Sequence, residues 1–251
     1  MNLWRLEWLR LRRSPRLVSL IAVYLFFGFT GPLLAKYAST IFAHASGTGG
    51  VKIVFPEPVP ADGIVNFVSN AAQTGLLVVI VIAAGTLALD ARRGLAAFYR
   101  TRVHRSRDLV LPRAAVTAGA AITAYTLGTL AAWYETVVLL GRLPVGAVLA
   151  GLLCEAVYLT TAVAITALAA TLVRGSLATI GVALGALLVM PLVGMWRPLG
   201  RVLPSALVSA PAELATGGQG FAHFLPALGV GVGLTGVLLV AAVALAGRRE
   251  L

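Results

Sequence analysis

The chain of 251 residues contains one cysteine, Cys154, two lysines, Lys36 and Lys52, and three histidines, His44, His104 and His223. Each scarcity closes a class of function. A lone cysteine inside an apolar run makes no intrachain disulfide, and core packing is its expected role. Neither lysine lies in a G-x-x-x-x-G-K-[ST] setting, so the chain has no P-loop with which to bind ATP. The histidines fall in or near loops. They offer no intramembrane pair for haem and no H-E-x-x-H for zinc, and neither G-x-S-x-G nor an intramembrane Ser/His pair is present for acyl transfer. With only three methionines besides, soft-metal cargo is disfavoured, because soft cations want thiolate, thioether or imidazole ligands.

Charge is scarce as well. Only 12% of the residues are charged, against about 25% in soluble domains, while 59% are hydrophobic. The mean hydropathy is +0.92. Runs long enough to cross a bilayer (about 20 residues) predict an all-α polytopic membrane protein in one domain, with spans at 17–36, 62–89, 112–140, 145–173, 175–196 and 225–247. Residues 1–16 read as a helix lying on the membrane. Trp4, Trp8 and Leu11 form its apolar stripe at i, i+4, i+7, and Arg5, Arg12 and Arg13 reach for phosphates. A cleaved signal peptide ending near Ala43-His44-Ala45 fits less well, since the first apolar run exceeds an h-region of about 7 to 15 residues.

Positive charge sets the expected orientation. With the N-terminus inside, 15 of the 20 Lys and Arg lie on the cytoplasmic side, leaving Lys36, Lys52, Arg142, Arg197 and Arg201 outside. Both termini are then cytoplasmic in a multi-pass protein of the plasma (inner) membrane. The net charge of +11 becomes a topology signal, with anionic lipid as its neighbour and no nucleic acid as partner. Two outer loops have length: 37–63, which Pro56, Pro58 and Pro60 should hold extended, and 197–224, which either forms short helices dipping into the outer leaflet or runs as a plain surface loop.

The glycines of Gly231-Val232-Gly233-Leu234-Thr235-Gly236 match G-x-G-x-x-G as a string, yet no strand precedes them. With Gly229-x-x-x-Gly233 and Gly181-x-x-x-Gly185 they read as small faces for close helix packing.

Polar residues within the spans are the candidate substrate path. Asn66, Asn70 and Gln73 at i, i+4, i+7 place three amides on one face of span two, either for interhelical hydrogen bonds or as a wall toward substrate. Glu135 and Glu155 are the expected carboxylates at membrane depth, with Thr126, Thr129, Trp133 and Thr160 as companions. Glu135 has an interfacial alternative, pairing with Arg142.

Residues 90–113 are the one stretch between spans two and three that cannot lie in lipid. Seven arginines and two aspartates there would cost roughly 25 kcal/mol in hydrocarbon. Helical spacing in the first part separates Leu95, Phe98 and Tyr99 from Arg93, Arg100 and His104. Such a helix either rests on lipid or docks a protein.

With these residues the chain resembles the permease subunits of ABC-2-type ATP-binding-cassette exporters. The resemblance covers nearly its whole length: interfacial helix, six spans, a basic cytoplasmic helix between spans two and three, and a long loop before span six. Its sharpest local part is Asp90-Ala91-Arg92-Arg93-Gly94, followed by Thr101-Arg102-Val103-His104-Arg105, then Leu111-Pro112-Arg113. The family more often has Glu at the position of Asp90 and Pro at that of Arg102. What the resemblance implies is a coupling segment at 90–108, with Asp90, Arg92, Arg93, Gly94, Phe98, Tyr99, Arg100, Thr101, Arg102 and Val103 facing an ATPase. Two copies of an ATP-binding subunit would carry ATP and Mg, this chain would bind no cofactor, and a second permease chain, identical or homologous, would complete an exporter of a hydrophobic or amphiphilic drug, antibiotic or lipid. The rival readings are an ion-coupled secondary transporter using Glu135 and Glu155, and a non-transporting scaffold.

Overall fold

A computed structural model describes residues 3–45, 57–88 and 106–249. Among the described residues there is no strand, and six helices are long and apolar enough to cross a membrane. The helices are α1 (Leu3–Arg12), α2 (Pro15–Ala45), α3 (Pro60–Asn70), α4 (Leu76–Leu87), α5 (Ser106–Leu139), α6 (Val145–Leu172), α7 (Ser176–Gly194), α8 (Arg197–Gly200), α9 (Ala210–Thr216) and α10 (Leu225–Arg249). Span one is α2, span two is α3 and α4, and spans three to six are α5, α6, α7 and α10. A helix satisfies its own backbone polar groups, which is what hydrocarbon demands of any segment crossing it.

Several boundaries differ from those the sequence predicts. The apolar span one, Pro15–Ala38, ends close to the expected residue 36, while its helix continues to Ala45 because no breaker comes after Pro32, which the helix already contains. Span three starts at Ser106 and carries Pro112 inside its helix, so the basic approach at 106–111 is part of the helix and not a separate return. Span two begins at Pro60, placed at the first turn where its missing N–H costs nothing, while the Asp62 carboxylate accepts from the Val59 N–H at 2.8 Å. It does not run straight. A π turn at Ala71–Gly75 joins α3 to α4, inserting a wider turn at the middle of the span.

Successive spans alternate in direction, which gives the bundle two ends. At the proximal end α1 packs on the start of α5, and Arg16 Nη1 donates to the Gly85 carbonyl at 3.4 Å, a cation on one of the last free carbonyls of span two. At the distal end Gly63 of α3 lies against Thr136 of α5. Between spans four and five only residues 173–175 turn the chain, and Gly175 does so at φ 90°, a conformation open to glycine.

Two apolar cores fill the bundle. The larger joins α1 and spans one to three to the inner faces of spans four and six, with Leu20, Tyr24, Phe67, Val79 and Leu159 almost fully enclosed. The smaller joins spans four and five to the distal segment 204–227 through Cys154, Tyr158, Leu187, Leu207, Leu214 and Phe224. The distal segment is thus built of short helices rather than plain loop. In α9 the residues Ala210, Pro211, Leu214 and Ala215 are buried, and Pro211 packs on Gly151, six residues or about 9 Å along α6 from its first residue.

The small faces expected at Gly229, Gly233, Gly181 and Gly185 are not used among the described residues, since nothing lies within 4 Å of where their Cβ atoms would be. Gly231 does make a close approach, against Val157 of span four, where Thr161 Oγ1 meets Thr235 Oγ1 at 3.0 Å. Backbone instead meets backbone at Gly28, Gly31 and Gly128 of spans one and three.

Candidate functional site

Span two carries the candidate path. Asn66 and Asn70 are half-buried, and Asn70 Nδ2 donates to the Asn66 carbonyl at 2.8 Å, so that amide folds back on its own helix. The π turn then retards the helical phase of the residues beyond Asn70, since a wider turn rotates less per residue. Gln73 and Thr74 emerge on the outer surface of the chain, joined there by Ser69. A straight helix would have set Asn66, Asn70 and Gln73 in one row; the π turn rotates Gln73 outward beside Thr74. Pro60 and Leu87 bound the span, so Gln73 stands at its midpoint, about 20 Å from either end.

Span two is flanked by spans one and five, whose outer surfaces are apolar. Phe26, Phe29 and Leu33 are exposed on span one, and Leu188, Val189 and Leu192 on span five. The result is an apolar surface with a small polar patch at mid-depth.

Glu155 is elsewhere. It lies in span four with 4% of its surface exposed, turned into the bundle, within electrostatic reach of Tyr24, Tyr125 and Tyr158. It forms no hydrogen bond or ion pair among the described residues. Tyr24 is fully buried with its ring over Gly75 of the π turn, edge-on to Tyr125 at 5.6 Å, and Tyr125 in turn lies 5.5 Å from Phe67. The aromatic knot of spans one, two and three therefore lies within electrostatic reach of the Glu155 carboxyl.

Of the remaining candidates only Thr129 comes close to either place, beside Tyr125 in span three. Thr126, Thr129 and Thr160 donate to carbonyls one turn back in their own helices at 2.8, 3.0 and 2.7 Å, a bond that satisfies the hydroxyl internally. Trp133 and Glu135 are half-buried near the distal end of span three, and the Trp133 Nε1 and Glu135 Oε2 atoms are enclosed without a hydrogen-bond partner among the described residues. The pairing of Glu135 with Arg142 is not formed; Arg142 sits exposed beyond the end of α5.

Asp90, Arg92, Arg93, Gly94, Phe98, Tyr99, Arg100, Thr101, Arg102 and Val103 lie outside the described residues. Just beyond them the structure adds a feature that the sequence does not announce. Arg113 Nε donates to Glu7 Oε1 at 2.9 Å, with both residues buried, joining α1 to the foot of span three. One hint exists: Glu7 is the only acidic residue before Glu57, set in a basic segment. The predicted stripe on α1 is correspondingly split. Leu11 is buried on the Glu7 side, whereas Trp4 and Trp8 are about half exposed on the other.

No family model, no curated protein and no solved structure matches this chain.

Proposed function

We propose that the chain is the transmembrane permease subunit of an ATP-driven exporter of the ABC-2 type, pairing with a second permease chain so that span two lines a translocation path between them. The observation that carries this reading is the exposure of Gln73, Thr74 and Ser69 on the outer surface of span two. A side-chain amide at the midpoint of a membrane span does not stay against hydrocarbon, because each unsatisfied polar group there costs several kcal/mol. Something polar must cover it: a second chain, water or substrate. The flanking apolar surfaces of spans one and five suit an amphiphilic molecule whose polar part meets the amide and hydroxyls.

The absence of a P-loop from the sequence calls for ATP hydrolysis on a separate subunit, and the basic segment 90–105 is where that subunit would dock. The short distal helices before span six agree with the long loop expected there. The positive charge at the proximal end supports a cytoplasmic position for that end.

Purification in mild detergent tests the assembly: a nucleotide-binding subunit is expected to accompany the chain in equal amount, with ATPase activity that rises in the presence of lipids or amphiphilic drugs. Ion-driven flux from the lone chain would favour instead the secondary-transporter reading, for which Glu155, buried without a partner among the described residues, is the supporting feature.

A further inference from the structure

The Glu7–Arg113 contact is a buried ion pair between α1 and span three. Arg113 is 4% exposed and Glu7 7% exposed, and Arg10 Nη1 stands 3.8 Å from the same Glu7 oxygen on the open side. Leu11, Val110 and Ala114 belong to the apolar core around it. Two apolar side chains would close this contact as well or better, since the desolvation of a buried pair offsets most of its attraction. What the pair adds is register: one carboxylate and one guanidinium meet in a single arrangement, whereas a greasy contact slides.

The chain connections on either side give that register a use. Helix α1 is tied to span one by Arg13 and Ser14 alone, and Ser14 Oγ donates to the Leu11 carbonyl at 3.2 Å, closing the link tightly. Arg113 lies in the unbroken helix of span three, eight residues beyond 105. Span one and span three also share the most extensive helix–helix contact of the bundle.

We propose that Glu7 and Arg113 are a positioning pair that locks α1 to the foot of span three, so that displacement of the 90–105 connection is delivered through span three and α1 to span one. This rests on the reading of 90–105 as an ATPase-docking segment. The pair touches neither ATP nor substrate; it acts by holding a helix.

Labelling and transport together test it in membrane vesicles. Cys154 is fully buried, and in a Cys154→Ala background a Leu11→Cys probe reports whether α1 is seated, Leu11 being 6% exposed. Glu7→Gln is expected to raise the rate of labelling of that probe by a water-soluble maleimide about tenfold, the signature of local opening. ATP-driven transport should fall in the same variant. The exchanged pair, Glu7→Arg with Arg113→Glu, should restore both protection and transport. If the exchanged chain fails to accumulate in the membrane, Glu7→Leu with Arg113→Met serves in its place and should restore protection. Unchanged labelling in Glu7→Gln overturns the lock. Raised labelling with undiminished transport overturns the delivery of movement to span one. If no ATPase subunit accompanies the chain, the exporter reading falls and takes the delivery role with it, while the labelling arm still decides whether the pair seats α1.

Discussion

Gly28 of span one lies directly against the Gly128 carbonyl of span three: a Cβ on Gly28 would stand 2.5 Å from that oxygen, and a Cβ on Gly128 would stand 2.7 Å from the Tyr24 carbonyl. Two backbones in contact cannot yield as a side chain can. In lipid, where no hydrophobic force drives helices together, such close approach supplies much of the attraction between them. Gly28→Ala or Gly128→Ala is therefore expected to destabilise the chain by about 2 kcal/mol, the usual cost of overpacking. Gly233→Ala, at a glycine with open space around it, should change little. Thermal unfolding in one detergent for all three variants checks the contrast, and equal midpoints would contradict the crossing.

The neighbourhood of Tyr24 shows how much of this fold is legible in the sequence. Length and apolarity of the runs are properties of single segments, so six spans can be read directly. Which glycines mark crossings depends on rotation and tilt of two helices at once. Gly229-x-x-x-Gly233 has the stricter motif, yet the contact is made by Gly28, which is in no such motif, and Gly128, which belongs to the small-residue row Ala120, Ala124, Gly128 and Ala132 of span three. The π turn at 71–75 is hidden for a similar reason. Its sequence, Ala-Ala-Gln-Thr-Gly, has no proline and only one glycine, and the extra residue is accommodated by the Tyr24 ring over Gly75, a tertiary contact. That turn moves Gln73 off the row predicted with Asn66 and Asn70, and so decides which polar residues face outward. Glu7 is hidden because an ion pair spanning 106 positions leaves no local pattern.

Glu155 is buried without a hydrogen bond or ion pair among the described residues, and a carboxyl taken out of water without a bonded partner lowers stability rather than raising it. Glu155→Met, close in length and without polar oxygen atoms, is expected to unfold at a higher temperature, by an amount equivalent to about 1 to 2 kcal/mol. On the proposed exporter reading, a carboxyl kept against that cost serves transport, and the stabilised variant should then transport more slowly. Midpoint and initial transport rate measured on the same preparation decide this. A lower midpoint would mean that Glu155 has partners in the assembled protein.

If span two lines a path between two chains, Gln73 meets water although it lies at mid-membrane. Gln73→Cys in a Cys154→Ala background is expected to react with a water-soluble maleimide in intact vesicles. Val240→Cys, on span six and 71% exposed in the single chain, should remain unreactive because it faces lipid. Substrate added in excess should slow the first reaction. Equal protection of both probes would remove Gln73 from the path and leave a dry contact with a second chain as its cover.

Reversal of charge in the basic connection separates a docking face from a lipid-resting one. Arg100 and Arg102 carry two of the seven arginines between residues 90 and 113, and five remain when both are changed to Glu. A segment that only rests on anionic headgroups gains about 1 kcal/mol for each basic residue near the surface, so losing two weakens it in proportion and leaves the assembly intact. A segment seated on a subunit responds differently. Like charges placed against a complementary surface cost several kcal/mol and expel the partner. On the proposed docking reading, Arg100→Glu with Arg102→Glu is expected to leave membrane insertion unchanged, to strip the ATPase subunit during purification, and to abolish substrate-stimulated hydrolysis. Retained ATPase subunit with undiminished stimulation would assign the segment to lipid.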